Sequence, residues 1–300
     1  MEKQVSDLVS PCASQRPPPE LSPEVIVRWA VQSLYVDEAL PRGPLLQWLL
    51  QLLVGVKLTH KQLRGFIEAA SGVSTDPPSS KKLNFRAVLE EPPAGFKGFV
   101  SEEEASSETL GEEVWEEARL YMTQGGWPKA DDASHKYYVV ASWLQDSSAK
   151  LRSESFGRVL SIVRYGAQAA GLLGHRNGLL VPYAQSEECE RRVNACTGQP
   201  THVAPNEVYV KTWDELRGGL RRLLMEQPGS SVEVSKVKAL FRSHLGVELS
   251  ETVFGHQCLS KLLGDEHVKE EFVLESFQGN RYLLRMLTAE ELSARASGAA

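Results

Sequence analysis

Cysteine is scarce in this chain, and its placement is informative. Cys12, Cys189, Cys196 and Cys258 form no C-x-x-C pair and have no histidine at ligand spacing. That pattern argues against a structural zinc site and against a disulfide-stapled fold, and fits reduced thiols. Residues 1–20, MEKQVSDLVSPCASQRPPPE, lack the apolar stretch of a signal peptide. The longest apolar run, residues 45–56, contains Gln47 and Gln51 and is too short to span a bilayer, so no membrane partner is expected. Positive charge is not in excess either. The 33 Lys and Arg stand against 39 Asp and Glu, a formal net charge of −6. This excludes a general nucleic-acid coat protein while leaving room for a local basic face.

Catalytic signatures are missing too. The seven histidines, at 60, 135, 175, 202, 244, 256 and 267, make no H-E-x-x-H or H-x-E motif. There is no Walker loop and no G-x-S-x-G elbow. The acid pairs Glu112-Glu113 and Glu116-Glu117 read as solvated surface. The expectation is a non-enzyme with no cofactor, no metal and no small-molecule substrate.

What is present is helical periodicity broken by short β-rich runs. Residues 1–22 are polar and proline-rich and read as a disordered tail. Ser22-Pro23-Glu24 opens a first helix carrying Val25, Val27, Ala30, Leu34 and Tyr35 on one face. A second helix is expected over 44–54 and a third over 59–70, with Thr59 as its cap. Residues 72–80 read as a loop, and the apolar runs 83–89 and 96–100, separated by EEPPAG, as a hairpin. The unit 23–100 thus has three helices and a hairpin.

Residues 101–117 hold eight glutamates, and 101–109 reads as an acidic linker, either merely solvated or competing for a basic face. In the unit 110–192, Leu110, Val114, Trp115, Ala118 and Tyr121 form a helical stripe. Residues 137–144 suit helix or strand, and helix is chosen. Phe156, Val159, Leu160, Val163 and Ala167 line a further helix. Asn177-Gly178 then predicts a type I′ hairpin, because both turn positions need positive φ.

After a linker at 193–205, the unit 206–290 is the most legible. Thr212 and Glu215 form a capping box ahead of an apolar stripe, Trp213, Leu216, Leu220, Leu223 and Leu224. Pro228-Gly229 ends that helix, and a short strand around Val232 and Val234 follows. A second helix with Val237, Leu240, Phe241 and Leu245 closes at Gly246. A third carries Phe254, Leu259, Leu262 and Leu263, with Phe254 expected in the core. The runs 272–274 and 282–287 predict a hairpin around residues 277–280. Residues 291–300 read as a tail. The pattern predicts a mostly α protein with small β-hairpins, and a winged-helix-like plan for this last unit.

The order of an LRRLL helix, a V-x-V strand, the K-x-x-x-L-F-R-S-H-L-G helix, Phe254-Gly255, the L-S-K-L-L helix and a Y-L-L strand is specific. Over residues 206–287 it resembles the LOTUS domain, also called the OST-type HTH domain. The resemblance implies a non-catalytic RNA-binding or adaptor protein in cytoplasmic ribonucleoprotein granules. Its RNA would be structured or G-rich, or its partner a DEAD-box RNA helicase docked through a further C-terminal helix, for which residues 288–296 are the candidate. A scaffold that touches no RNA remains open beside it.

Phe156-Gly157 and Phe254-Gly255 each precede a Leu-Ser pair and a hairpin, suggesting that 110–192 is a divergent winged-helix-like repeat, and that 23–100 is another. Between residues 136 and 192, eight Lys or Arg face five acids. The RNA-contact candidates are therefore Arg217, Arg221 and Arg222 on one helix, Lys236, Lys238 and Arg242 on the next, and Arg158, Arg164, His175 and Arg176 in the middle unit. Each would make a salt-sensitive phosphate contact.

Overall fold

Helix α1 (Pro23–Val36) begins with proline at its first position, where a missing amide costs nothing. Its buried face is Val27, Ala30, Val31, Leu34 and Tyr35, while Val25, expected on that face, is exposed. The computed structural model describes residues 22–55, 58–77, 83–101, 109, 111–124, 126–128, 133–277 and 281–296. The expected tail before Ser22, most of the acidic linker, the turn at 278–280 and the last four residues lie outside the described residues. Those described are mostly helical, with small antiparallel sheets. They fall into two compact units, Met1–Ser186 and Glu187–Ala300.

In the first unit α1 is followed by α2 (Gly43–Val54) and α3 (His60–Ala69), the latter opened by a Thr59–Gln62 capping box. The hairpin that follows pairs β1 (Val73–Asp76) with β2 (Arg86–Leu89) in the register Val73↔Leu89. The expected pairing of 83–89 with 96–100 is corrected here, because the strand partner lies in the stretch read as a loop. Residues 96–100 serve packing instead. The rings of Phe96 and Phe99 lie 4.7 and 4.8 Å from that of Tyr35, and the Val100 amide donates to the Glu38 carbonyl.

Helices α4 (Glu112–Thr123), α5 (Lys136–Ser147), the short α6 (Ala149–Arg152) and α7 (Phe156–Gln168) come next, then the hairpin β3 (Leu173–Arg176) and β4 (Leu179–Pro182). Asn177 and Gly178 have φ of 51° and 76°, as a type I′ turn demands. One hydrophobic core runs from Val27 to Leu180. The expected boundary between 23–100 and 110–192 therefore does not appear as a break in packing. Phe156, fully buried, stacks on Trp48 with ring centres 5.8 Å apart and planes 11° apart. Beside it the Gly157 amide donates to the Asp37 carbonyl, an approach so close that a Cβ at 157 would collide with the main chain of Asp37 and Glu38.

The second unit starts at helix α8 (Glu187–Thr197), so residues 187–192 leave the middle segment and the expected linker 193–205 is partly helical. Polar contacts tie that segment down. Thr201 donates its amide to Ser250 Oγ at 2.8 Å, and Thr252 Oγ1 donates to the Gln199 carbonyl at 2.6 Å. Helix α9 (Trp213–Glu226) has the predicted Thr212–Glu215 capping box and buries Leu216, Leu220, Leu223 and Leu224. Strand β5 (Ser231–Glu233) leads into α10 (Val234–Leu240), which widens to a π turn over Phe241–Leu245 and stops at Gly246, φ 68°.

The predicted third helix is instead broken in two. Glu251–Phe254 is a 3₁₀ turn ended by Gly255 at φ 80°, and α11 (Leu259–Leu263) starts afresh. Phe254 is only half-buried, against Trp213 at 4.7 Å, not in the core as expected. Since Gly157 is helical and Gly255 left-handed, the two Phe-Gly pairs are not structurally equivalent. After α12 (Glu266–Lys269), β6 (Phe272–Phe277) and β7 (Arg281–Met286) complete a sheet in the order β5-β7-β6. Helix α13 (Ala289–Ala296) occupies much of the expected tail.

Candidate nucleic-acid interface

The helical spacing that put Arg217 and Arg221 on one face of α9 also aims them at Glu270 and Glu271, which follow α12. Arg217 donates to Glu270 at 2.5 Å and to Asp214 at 2.7 Å, and its side chain is only 19% exposed. The hydrogen bond to Asp214, aided by the charges of Glu270 and Glu271, holds its guanidinium above the ordinary arginine range. Arg221 grips Glu271 through two nitrogens, at 2.5 and 3.2 Å. Arg222 points elsewhere, 3.6 Å from Glu226.

On the next helix the pattern repeats. Lys236 lies 3.6 Å from Glu233, Lys238 pairs with the buried Glu251, and Arg242 forks onto Glu248. The hydrogen bond from Arg242 keeps the Glu248 carboxyl below the usual range, and reciprocally raises Arg242. All six of these cations thus lie within 3.6 Å of a carboxylate oxygen, and α9 and α10 present ion pairs along the faces read as RNA-contact candidates. Such pairs contribute little to stability, yet a phosphate would have to displace them.

The middle-unit candidates are dispersed. Arg158 lies 3.0 Å from Glu154, one helical turn back. His175 is in β3 opposite Leu180, and Arg176 donates to the Gln185 carbonyl at 2.5 Å. Tyr165 packs edge-on against Trp115 at 5.0 Å. Arg164 differs from the rest. Its guanidinium lies 5.9 Å from the ring centre of Tyr137, and Lys136 Nζ lies 5.8 Å from the same ring. Lys136 also donates to the Gly178 carbonyl in the hairpin turn. Burial pulls Arg164 down to about 10, and the charge of Arg42 adds to that. The half-buried Tyr137 ring thus has a cation from α5 and one from α7 near it, an arrangement that suits stacking beside phosphate contacts.

Sequence reasoning did not find Lys136, Tyr137 or Arg42 as site residues. They come from distant segments, and only the fold brings them to Arg164. Among the described residues no group of three or more His, Cys, Asp or Glu is arranged to hold a metal ion. No helix among them is long and apolar enough to cross a membrane. No protein-family model, curated protein or solved structure matches the chain.

Proposed function

We propose that this chain is a non-catalytic RNA-binding protein of LOTUS/OST-HTH type, in which the Met1–Ser186 unit makes the main RNA contact. The observation that carries the reading is the Tyr137 ring with Lys136 and Arg164 beside it. Aromatic faces accept bases of any sequence, and adjacent cations hold the backbone. The LOTUS-like, winged-helix character of Glu187–Ala300 rests on the order of capped helix α9, strand β5 and helix α10, with β5 joined to the second strand of the later β6–β7 hairpin.

An adaptor role for this second unit is favoured by one further observation. Its cations are engaged by its own glutamates, and α13 is anchored in place by Arg285, which donates to Glu291 at 2.8 Å through two nitrogens. That grip drives the Glu291 carboxyl down to about 2. A fixed C-terminal helix with Leu292 partly exposed is a surface on which a helicase domain could dock.

The test is binding of the purified chain to quadruplex, single-stranded and duplex RNA at two salt concentrations. Lys136→Ala with Arg164→Ala should weaken binding and flatten the salt slope by about one per lost phosphate contact, while Arg217→Ala with Arg221→Ala leaves it unchanged. Wild-type protein that binds no RNA at low salt would sink the RNA reading and leave the adaptor role alone.

A further inference from the structure

Helix α13 opens at Thr288, an exposed residue whose hydroxyl accepts from the Glu291 amide at 3.2 Å, while the Thr288 amide donates to Glu291 Oε2 at 2.8 Å. The same Glu291 carboxylate takes the Arg285 guanidinium through Nη1 and Nη2, both at 2.8 Å. Arg285 is shared, since its Nε donates to Glu275 Oε1 on β6 at 2.7 Å. One arginine of β7 thus clasps a neighbouring strand on one side and the first turn of α13 on the other. Among the described side chains of α13 none is buried, and Leu292, the largest apolar one, is 43% exposed. The helix is held by its clasp more than by packing.

Thr288-Ala289-Glu290-Glu291 sets two acids just after a hydroxyl, the charge pattern that acidophilic protein kinases read. Thr212-Trp213-Asp214-Glu215 has the same pattern, and the fold separates the two. Thr212 opens α9, which buries Leu216, Leu220, Leu223 and Leu224, so drawing its first turn out into a kinase cleft would uncover core. Helix α13 has only eight residues, too few to hold a helix in water unaided, and its described side chains lose no burial when it straightens. Arg285, three positions before Thr288, would suit a kinase that reads a preceding cation. It lies in β7, however, the middle strand of the order β5-β7-β6, and both edges of that strand are paired. The accessible determinants are those that follow the hydroxyl.

We propose that Thr288 is a phosphorylation site for an acidophilic protein kinase, and that the phosphate unlatches α13. The Thr288 hydroxyl oxygen attacks the γ-phosphorus of a nucleoside triphosphate, the bond to the bridging oxygen breaks and the diphosphate leaves. The hydroxyl proton passes to the carboxylate base of the kinase. The product carries close to two negative charges at neutral pH, on the residue whose amide holds Glu291. Glu291 Oε2 bonds both that amide and Arg285 Nη1, so the guanidinium is a single oxygen away from Thr288. A guanidinium fork suits phosphate oxygens as well as carboxylate oxygens. The phosphate therefore takes Arg285 and repels Glu291, and the tie between α13 and the sheet is lost. This goes beyond the adaptor reading, because the clasp and the hydroxyl are present whether or not a partner docks on α13.

The experiment treats the full chain with casein kinase II and adenosine triphosphate, maps phosphate by mass spectrometry of its peptides, and follows amide hydrogen exchange. Phosphate should appear at Thr288 and not at Thr212. Exchange across residues 289–296 should then speed up by about tenfold or more, while α9 keeps its protection. Thr288→Ser, which keeps both the hydroxyl and the cap, should take the phosphate and show the same rise. Thr288→Ala removes the acceptor, so treatment should leave its exchange where it stood beforehand. No phosphate at this position in wild type and in Thr288→Ser overturns the site. Equal phosphate at Thr212 and Thr288 overturns the structural argument for it, and phosphate at Thr288 with unchanged exchange overturns the unlatching. Neither readout needs a docked partner, so the adaptor reading can fail while this site stands, and the reverse.

Discussion

Arg217 and Arg221 in one unit and Arg164 in the other meet different neighbours. In Glu187–Ala300 the carboxylates meeting α9 come from residues some fifty positions later in the chain, so Arg217 and Arg221 are neutralised by Glu270 and Glu271. In Met1–Ser186, Arg164 meets an aromatic ring and the charge of Arg42. A cation's spacing along a helix therefore says which face it occupies, and tertiary neighbours decide whether that face is still positive. Charge on a helix is a local property; potential at a surface is not.

The largest expected effect tests whether the first unit is one body. Phe156→Ala removes a fully buried ring stacked on Trp48 and should cost about 3–5 kcal/mol. If the core is shared, hydrogen-exchange protection should fall in α1 and α2 as well as in α5 and α7. Undiminished protection in α1 and α2 would restore two separate units. Phe254→Ala in the second unit should cost less, because that ring is only partly covered.

A glycine pair sharpens the comparison inside α9. A Cβ at Gly219 would press into the Phe241 ring at 2.7 Å, while at Gly218 nothing lies within 4 Å. Gly219→Ala should therefore destabilise the second unit by about 1–3 kcal/mol through overpacking. Gly218→Ala should stabilise it by about 0.5–1 kcal/mol through helix propensity and a less flexible unfolded chain. Chemical denaturation of the two variants reads both signs. Equal effects would mean that Phe241 does not cross α9 at 219.

Much of the fold was legible, and the reasons are local. The cap at Thr59, the capping box at Thr212, the leucine stripe of α9 and the turn at Asn177-Gly178 are written in nearby residues, and each appears as expected. What failed was non-local. The β1–β2 pairing depends on Val73 meeting Leu89 across a polar loop, and residues 96–100 are drawn to Tyr35. The break at Gly255 was hidden because glycine at a helix start and glycine in a left-handed stop look alike in sequence. Of the site, Arg164 was legible as a cation, but its setting beside Tyr137, Lys136 and Arg42 was not.

A gain-of-function change tests the charge comparison directly. If glutamates keep α9 from holding RNA, Glu270→Gln with Glu271→Gln should raise affinity at low salt and steepen the salt slope by about one to two, one for each cation released. The fold should persist, since both acids are on the surface and such pairs add little. A double variant that binds RNA no better than wild type would mean that α9 lacks the shape for RNA as well as the charge.

The smallest effect concerns acid, and it should be confined to the second unit. Asp265 caps α12 through the His267 amide at 3.0 Å, and its carboxylate lies 2.8 Å from His267 Nδ1 and 2.9 Å from His256 Nε2. Burial alone would raise this carboxyl, but the hydrogen bonds from His267 and His256 outweigh it and hold it below the usual aspartate range. A group lowered on folding contributes stability that is complete above its unfolded value, about 4, and is lost as pH falls through the folded one. Trp213 reports on the site, because it lies flat on His267 with ring centres 4.3 Å apart and planes 8° apart. It is also the second unit's only tryptophan, the other five being at 29, 48, 115, 127 and 143. The fluorescence difference between wild type and Trp213→Phe should fade as pH falls below about 4. In the Asp265→Asn background the same difference should already be small at neutral pH and change little on acidification. An acid transition of Trp213 that is the same with and without Asp265 would assign it to Glu248 or Glu291, the other carboxylates of this unit lowered by a basic partner.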